Sequence, residues 1–371
     1  MSVLAVTGPD ATPLNAHGGI VETATVWRGR DLLYPIRVAR FLKRRRPHIV
    51  HVQFGPHGEV YGGMFGEPML YLLLLLRAMG LKSTVTLHST WMPDQVTGRV
   101  RGYRRLRILS PLGAPLFRLY MKLLGWGSTT VQLSTVKSDS HLRKRFLQEY
   151  GYAEAKVLEI PHPYRTDVGP LDRGDALKQL GLQDRSVILI FGFIRRGKGI
   201  DHAIRSVKRI VSKHPELVLL IAGTPIDDDG RAYLKEVRQL SDDLGIRGNV
   251  RFDVRFIPEA VVPTYLSASY AVLIPYTESV GASGPMHSYA ALERPFIVSD
   301  AGVHSREALG GHVVLFKSGN QADLAEKILW LLDNRAEADR IGAETRAYAL
   351  REGWDVGVKR TLANYSKTLR I

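Results

Sequence analysis

The strongest constraint in this chain is an alternation. Short apolar runs rich in β-formers recur along it, and most are followed by a stretch of helical period or helical length. VLAVT at 3–7, HIVHVQF at 48–54, STVTLH at 83–88 and TTVQLST at 129–135 read as strands. YPIRVARFLKRRR and EPMLYLLLLLRAMG lie between them as helices. SDSHLRKRFLQEYG follows the last, with Ser138 or Asp139 placed to cap its first turn. Strands apolar on both faces, joined by helices, predict a parallel sheet covered on both sides.

Around 159–174, EIPHPYRTDVGPLDRG concentrates Pro and Gly without periodicity, the composition of a connection between domains. A second series comes after it. SVILIFGFI, a helix from Ile200 to Lys213, ELVLLIAG, a helix from Gly230 to Leu244, NVRFDV, a short helix near Glu259 to Ser267, and YAVLIPY repeat the pattern. RPFIVSD and HVVLF are further strands, and 321–371 reads as largely helical. A chain of 371 residues that is 45% hydrophobic can bury two cores. The expected fold is therefore α/β, with two doubly wound domains facing each other across a cleft.

The absence of cysteine excludes a disulfide framework, a thiolate metal site and a Cys nucleophile. A formal charge of +15 predicts a surface that attracts phosphate in some form. The longest apolar run, MLYLLLLL at 69–76, ends at Arg77 well short of the ~20 residues that span a bilayer. It reads as a buried helix. The opening residues do not follow a secretory-signal pattern, so none is expected.

In open parallel sheets, ligands bind outside the carboxyl ends of the strands. FGFIRRGKGID, after the strand SVILIF, sets Arg195, Arg196 and Lys198 among glycines at a helix start, which suits phosphate. It is not the GxxxxGK[ST] loop of nucleoside triphosphatases. The loop after YAVLIPY carries Gly281, Ala282, Ser283 and Gly284, small enough for backbone amides to approach an anion, with Glu278 just upstream. Such a carboxylate either binds hydroxyls or handles a proton. His88 ends the strand STVTL, again on the ligand side, whereas His51 reads as structural. Asp227, Asp228 and Asp229 are better placed to favour a helix start than to hold a metal. Residues 98–127 interleave Arg and Lys with Leu, Ile, Tyr, Phe and Trp, a pattern suited to an anionic membrane surface. No helix-turn-helix, zinc-finger or aromatic RNA motif accompanies that stretch, so nucleic acid is not an expected partner.

Taken in order, HIVHVQF, VTLHS, VKSDSHLRKRF, EIPHPY, FGFIRRGKGID, LLIAG, NVRFD, and PYTESVGASG with RPFIVSD resemble the family 4 retaining glycosyltransferases of GT-B architecture, group 1 type. The resemblance runs from about residue 1 to the C-terminal helix. It implies an N-terminal acceptor-side Rossmann-like domain over 1–163 and a nucleotide-sugar domain over 164–355. A terminal helix over 356–371 would pack back on the first domain. The family begins with a strand and a glycine-rich loop ahead of anything like VLAVT, so the first domain is expected to lack its first βα unit.

The implied activity is transfer of a hexose from a nucleoside diphosphate sugar to a glycan or lipid-linked acceptor, with retention. Arg195 and Lys198 would clamp the donor diphosphate, with backbone amides at Ser283 and Gly284 on its other side. His88 would lie near the transferred sugar, and Glu278 would match the first acid of the family's paired-glutamate motif. The base would rest near Arg255 and Phe256. No cofactor and no metal are expected, since Arg, Lys and helix dipoles replace the metal. Two departures stand out: Phe193 occupies a position often held by Arg, and the second glutamate falls at Ser288 or Tyr289. Two other readings share the architecture, a sugar-nucleotide epimerase and a non-catalytic sugar-nucleotide or phosphate-binding homologue. The expected location is the cytoplasm, with peripheral attachment to the inner face of the cytoplasmic membrane through 98–127.

Overall fold

A computed structural model describes residues 3–7, 21–26, 33–55, 61–63, 66–89, 91–93, 96, 110–134, 140–277, 283–301 and 308–371. These residues form two compact units. One runs to Ile160 and takes in Arg360–Ile371; the other spans Pro161–Lys359.

The second unit is built on six parallel strands: β7 (Ser186–Phe191), β8 (Leu217–Gly223), β9 (Val250–Val254), β10 (Ala271–Ile274), β11 (Phe296–Ser299) and β12 (Val314–Phe316). Their spatial order is β12-β11-β10-β7-β8-β9. Side chains alternate between the two faces as the strand period requires. Ile188, Ile190, Leu217, Leu219, Ile221, Leu273 and Ile297 feed one core, and Val187, Leu189, Val218, Leu220, Val272, Phe296 and Val298 feed the other. Both faces are dry, as the continuous apolar runs predict.

Helix ends depart from the sequence reading by a few residues. The helix after β7 is Ile200–Lys208 and gives way to turns before Lys213. Its neighbour spans Asp228–Asp243, capped by the Asp227 carboxylate accepting from Gly230 N at 2.8 Å. Asp228 pairs with Arg231 and Asp229 with Arg196, so all three aspartates are engaged.

In the first unit, β3 (Val50–Phe54), β4 (Ser83–Leu87), β5 (Thr130–Leu133) and β6 (Val157–Glu159) form a parallel sheet in that order. A separate parallel pair joins β1 (Val3–Thr7) and β2 (Val21–Thr25). Two strands escape the sequence reading: VETAT is polar for a strand, and β6 has only three residues. One face of the four-stranded sheet is apolar, where Val52, Phe54, Val85, Leu87, Val131 and Leu133 pack on the Tyr34–Arg45, Glu67–Ala78 and Ser110–Gly127 helices.

The other face corrects the expectation of strands apolar on both sides. It carries His51 and Gln53 on β3, Thr84 and Thr86 on β4, and Thr130 and Gln132 on β5. Thr84 and Thr130 are fully buried, and they are satisfied by one another at 2.9 Å and by the final helix, Trp354–Arg370. Thr130 Oγ1 meets Thr368 Oγ1 at 2.8 Å, and Asn364 Nδ2 donates to Thr84 Oγ1 at 3.3 Å. Polar groups are tolerated there because most find a hydrogen-bond partner on leaving water, Gln132 Nε2 and Asn364 Oδ1 being buried without one among the described residues.

Leu219 is wholly buried in the middle of β8. Leu219→Ala is expected to lower the unfolding free energy by about 2–5 kcal/mol through lost burial and a residual cavity, measured by urea denaturation. A change below ~1 kcal/mol would show that this core collapses around the deletion.

Candidate functional site

The strand order β10-β7-β8 places the topological switch point of the second sheet between β7 and β10, where consecutive crossovers leave in opposite directions. The loops after these two strands are the two phosphate candidates, and the fold holds them against each other. Thr277 N donates to Gly197 O at 3.0 Å. Gly199, at φ 66°, approaches so closely that a Cβ there would stand 1.9 Å from Pro275 O. Only glycine fits that contact. Gly223, at φ 148°, abuts Gly192 O in the same way, so the end of β8 closes on the turn from its other side.

Within this frame Lys198 folds over Tyr276, its Nζ 3.6 Å from the ring centroid. Arg195 lies close enough that its charge reinforces the effect of burial on the lysine. Burial first, and Arg195 second, bring the Lys198 ammonium down to about 7. Tyr276 is itself buried, which pushes its phenol up, while the Ser283 side chain and Arg195 act in the opposite sense. Arg195, Lys198, Tyr276 and Ser283 therefore form one cluster. Among the described residues, neither Arg195 nor Lys198 has a carboxylate partner.

Arg196 differs. It is bonded to Asp229 and Glu236 and lies over Tyr233, so its charge is spent on its own helix neighbour. Ser283 precedes the Gly284–Tyr289 helix, whose His287 N donates back to Ser283 O at 3.1 Å. Glu278, with Gly281 and Ala282, lies outside the described residues. Arg255 and Phe256 follow β9, two strands from β7. The Arg255 guanidinium is tied to Asp253 at 2.9 Å and to Tyr265 Oη at 2.7 Å, while the Phe256 ring is 78% exposed.

His88 belongs to the first unit, at the exposed end of β4, where its Nε2 lies 2.6 Å from Gln53 Oε1. Sequence reading missed Tyr276, Thr277 and Gln53. Tyr276 and Thr277 stand within PYTES, but only the packed loops give them a role.

A separate cavity of about 650 Å³ is lined by Arg185, Arg238, Arg247 and Arg251. It lies at the amino ends of β8 and β9, away from the switch point. Arg185 donates to Gly248 O at 2.8 Å, and Arg251 to Leu180 O at 2.6 Å at a helix C-terminus. Two of these cations are thus occupied with carbonyls.

The family described as "Glycosyl transferases group 1" matches residues 172–348, the segment that carries both loops. This segment belongs to the group 1 glycosyltransferases. Related proteins include the D-inositol 3-phosphate glycosyltransferases of Acidothermus cellulolyticus, 27% identical over 61% of this chain and 51% of the relative, and of Nocardia farcinica, 29% identical over 61% and 51%. The chain thus spans about half the length of these curated relatives. D-inositol 3-phosphate glycosyltransferase 1 of Catenulispora acidiphila aligns at 26% identity over 98% of this chain and 92% of its own length.

Among solved structures, Anabaena HepE in complex with UDP matches with a TM-score of 0.71 at 15% identity, covering 93% of this chain and 85% of that one. Sucrose-phosphate synthase from Thermosynechococcus elongatus matches with a TM-score of 0.71 at 16% identity, covering 98% and 87%. At such identities the likeness concerns fold. The chain has the two Rossmann-like α/β domains of the GT-B architecture.

The lowered Lys198 gives a pH dependence with a defined sign. Above about 7 the empty site holds a neutral amine. An incoming diphosphate restores the proton, so binding takes up protons there. Affinity for a nucleoside diphosphate sugar, whose diphosphate does not titrate in this range, is expected to fall between about pH 7 and 10, by up to tenfold per unit. The unfolded chain binds more protons than the native one between about 7 and the ordinary lysine value of 10.5, so this group's contribution to stability rises with pH over that window. Calorimetry in buffers of different ionisation enthalpy measures the uptake; none at pH 8, or the same uptake in Lys198→Met, would contradict the assignment.

Proposed function

We propose that this group 1 glycosyltransferase moves a hexose, with retention, from a nucleoside diphosphate sugar to a lipid-linked or polysaccharide acceptor. The observation that carries this reading is the Lys198–Arg195 pair, two cations without a carboxylate partner at the switch point beside Ser283. A lysine folded on a buried aromatic beside an arginine gains most from a dianionic ligand, which restores its charge. The structures of HepE with UDP and with UDP-glucose support the donor class.

In the proposed reaction the bond from the sugar anomeric carbon to the β-phosphate oxygen breaks, and its electron pair leaves with the diphosphate. Lys198, Arg195 and the amides at Ser283 and Gly284 receive that growing charge, in place of a metal ion. The acceptor hydroxyl attacks from the face the diphosphate leaves, which preserves the anomeric configuration. Arg255 and Phe256 take the base side, with the exposed Phe256 ring available for stacking. His88 contacts the transferred sugar, and Glu278 binds hydroxyls, the acceptor proton then passing to the departing diphosphate oxygen, or takes that proton itself.

Lys198→Ala is expected to lower transfer by at least ~100-fold, the scale for removing one preorganised charge partner of a leaving group. Its thermal midpoint should stay at or above the parent value, because the change also removes a buried cation next to Arg195. The assay offers UDP, GDP, dTDP and ADP sugars, with D-inositol 3-phosphate among the acceptors because several relatives carry that name. Undiminished transfer would remove Lys198 from the site. Interconversion of sugars without transfer would favour an epimerase, and donor binding without turnover a non-catalytic homologue.

The acceptor reading extends to the membrane. Of the basic stretch 98–127, residues 110–127 form a helix that exposes Leu112, Leu116, Leu119 and Trp126 along one side, each more than half accessible, with Arg118 and Lys122 beside them. Among the described residues no helix is long and apolar enough to cross a membrane, so contact by this helix would be interfacial. Co-sedimentation with vesicles containing anionic lipid is expected and should weaken in high salt. Leu116→Glu/Leu119→Glu should abolish it; retention by this variant would exclude the helix as the anchor.

A further inference from the structure

We propose that Gln53 is a positioning residue for His88: its carboxamide fixes the orientation and proton placement of the His88 ring, and is itself held through His51 by Tyr365 of the final helix. This inference rests on the glycosyltransferase reading for what the His88 ring does, but not for how it is held.

The parallel register pairs His51 with Thr84 and Gln53 with Thr86, so the four side chains share the polar face of the first sheet. His88 continues that face by one more step, its backbone N–H donating to Phe54 O at 2.9 Å. Gln53 reaches both imidazoles at once. Its Oε1 lies 2.6 Å from His88 Nε2, and its Nε2 lies 3.1 Å from His51 Nε2. A carboxamide accepts only at oxygen and donates only from nitrogen. With its oxygen toward His88, Gln53 selects the His88 tautomer protonated on Nε2; with the carboxamide reversed it would select the other, so either orientation fixes one proton placement.

The far end of the chain is anchored. Tyr365 Oη lies 2.6 Å from His51 Nδ1 and Thr86 Oγ1 lies 2.7 Å from His51 Nε2, while the tyrosine ring stands edge-on to the imidazole at 5.5 Å. Thr86 bonds in turn to buried Gln132 at 2.7 Å. Burial above all, with His88 adding to it, holds His51 down to about 4, so His51 remains a neutral hydrogen-bonding ring. Burial also pushes the Tyr365 phenol up and keeps its proton in place. An exposed histidine at a strand end is thereby connected to the polar interior of the first unit. Restricting such a ring before the substrate arrives is the service a positioning residue performs.

Gln53→Leu is expected to lower kcat by about 10- to 100-fold while donor KM stays within twofold and the thermal midpoint is little changed. Gln53→Glu keeps an acceptor oxygen at His88 and should recover much of the rate. Its added charge should also move the histidine limb of the pH profile upward. Independently of turnover, ¹⁵N shifts of the His88 ring should report a single dominant tautomer in the parent and a loss of that bias in Gln53→Leu. A wild-type kcat in Gln53→Leu, a loss confined to KM or to the thermal midpoint, or unchanged ring shifts would overturn the proposal. If the parent protein transfers sugar from no nucleoside diphosphate donor, the glycosyltransferase reading falls, and the ring shifts alone decide whether Gln53 positions His88.

Discussion

The contact between Lys198 and Tyr276 is the constraint around which the loops at the second sheet's switch point are arranged. A lysine ammonium gives up much of its hydration when folded against a buried ring, and a neighbouring arginine raises the cost. Burying such a charge is normally offset by a carboxylate, yet Arg196, one residue away from Arg195, takes the nearby acidic partners. The backbone enforces the arrangement, because Gly199 lies against Pro275 where no side chain would fit. Local structure, packing and electrostatics thus converge on a pocket suited to an anion.

The first unit solves a different problem. A parallel sheet usually hides apolar residues on both faces, but here one face is polar and nearly closed. Thr84, Thr130 and Gln132 are buried because the final helix brings Asn364 and Thr368 onto that sheet, and Tyr365 reaches the ring of His51. Such a network gains less from burial than an apolar face would, but it demands one register and one orientation from each member. Directional bonding of that kind continues through Gln53 to His88 at the exposed end of β4.

Much of this was legible in the amino-acid order. The alternation of apolar runs and helical stretches is a local property of the chain, and so are the glycines and cations of FGFIRRGKGID; both specify where strands end and which element each strand leads into. The misses have physical causes. VETAT and the three-residue β6 carry too little apolar signal to register as strands. The helix after β7 ends at Lys208 although the residues up to Lys213 read as helical.

The sequence by itself determined the two βα series, the likeness of the second half to a glycosyltransferase family and the glycine-and-cation makeup of the loop after β7, because each depends on residues close together in the chain. Only the tertiary structure decided that Arg195 and not Arg196 keeps its charge available, that Tyr276 receives Lys198, and that Gln53 joins His88 to a tyrosine in the last helix of the chain. Those outcomes depend on which strands become neighbours and how close their loops approach, quantities set by global packing and absent from any local stretch.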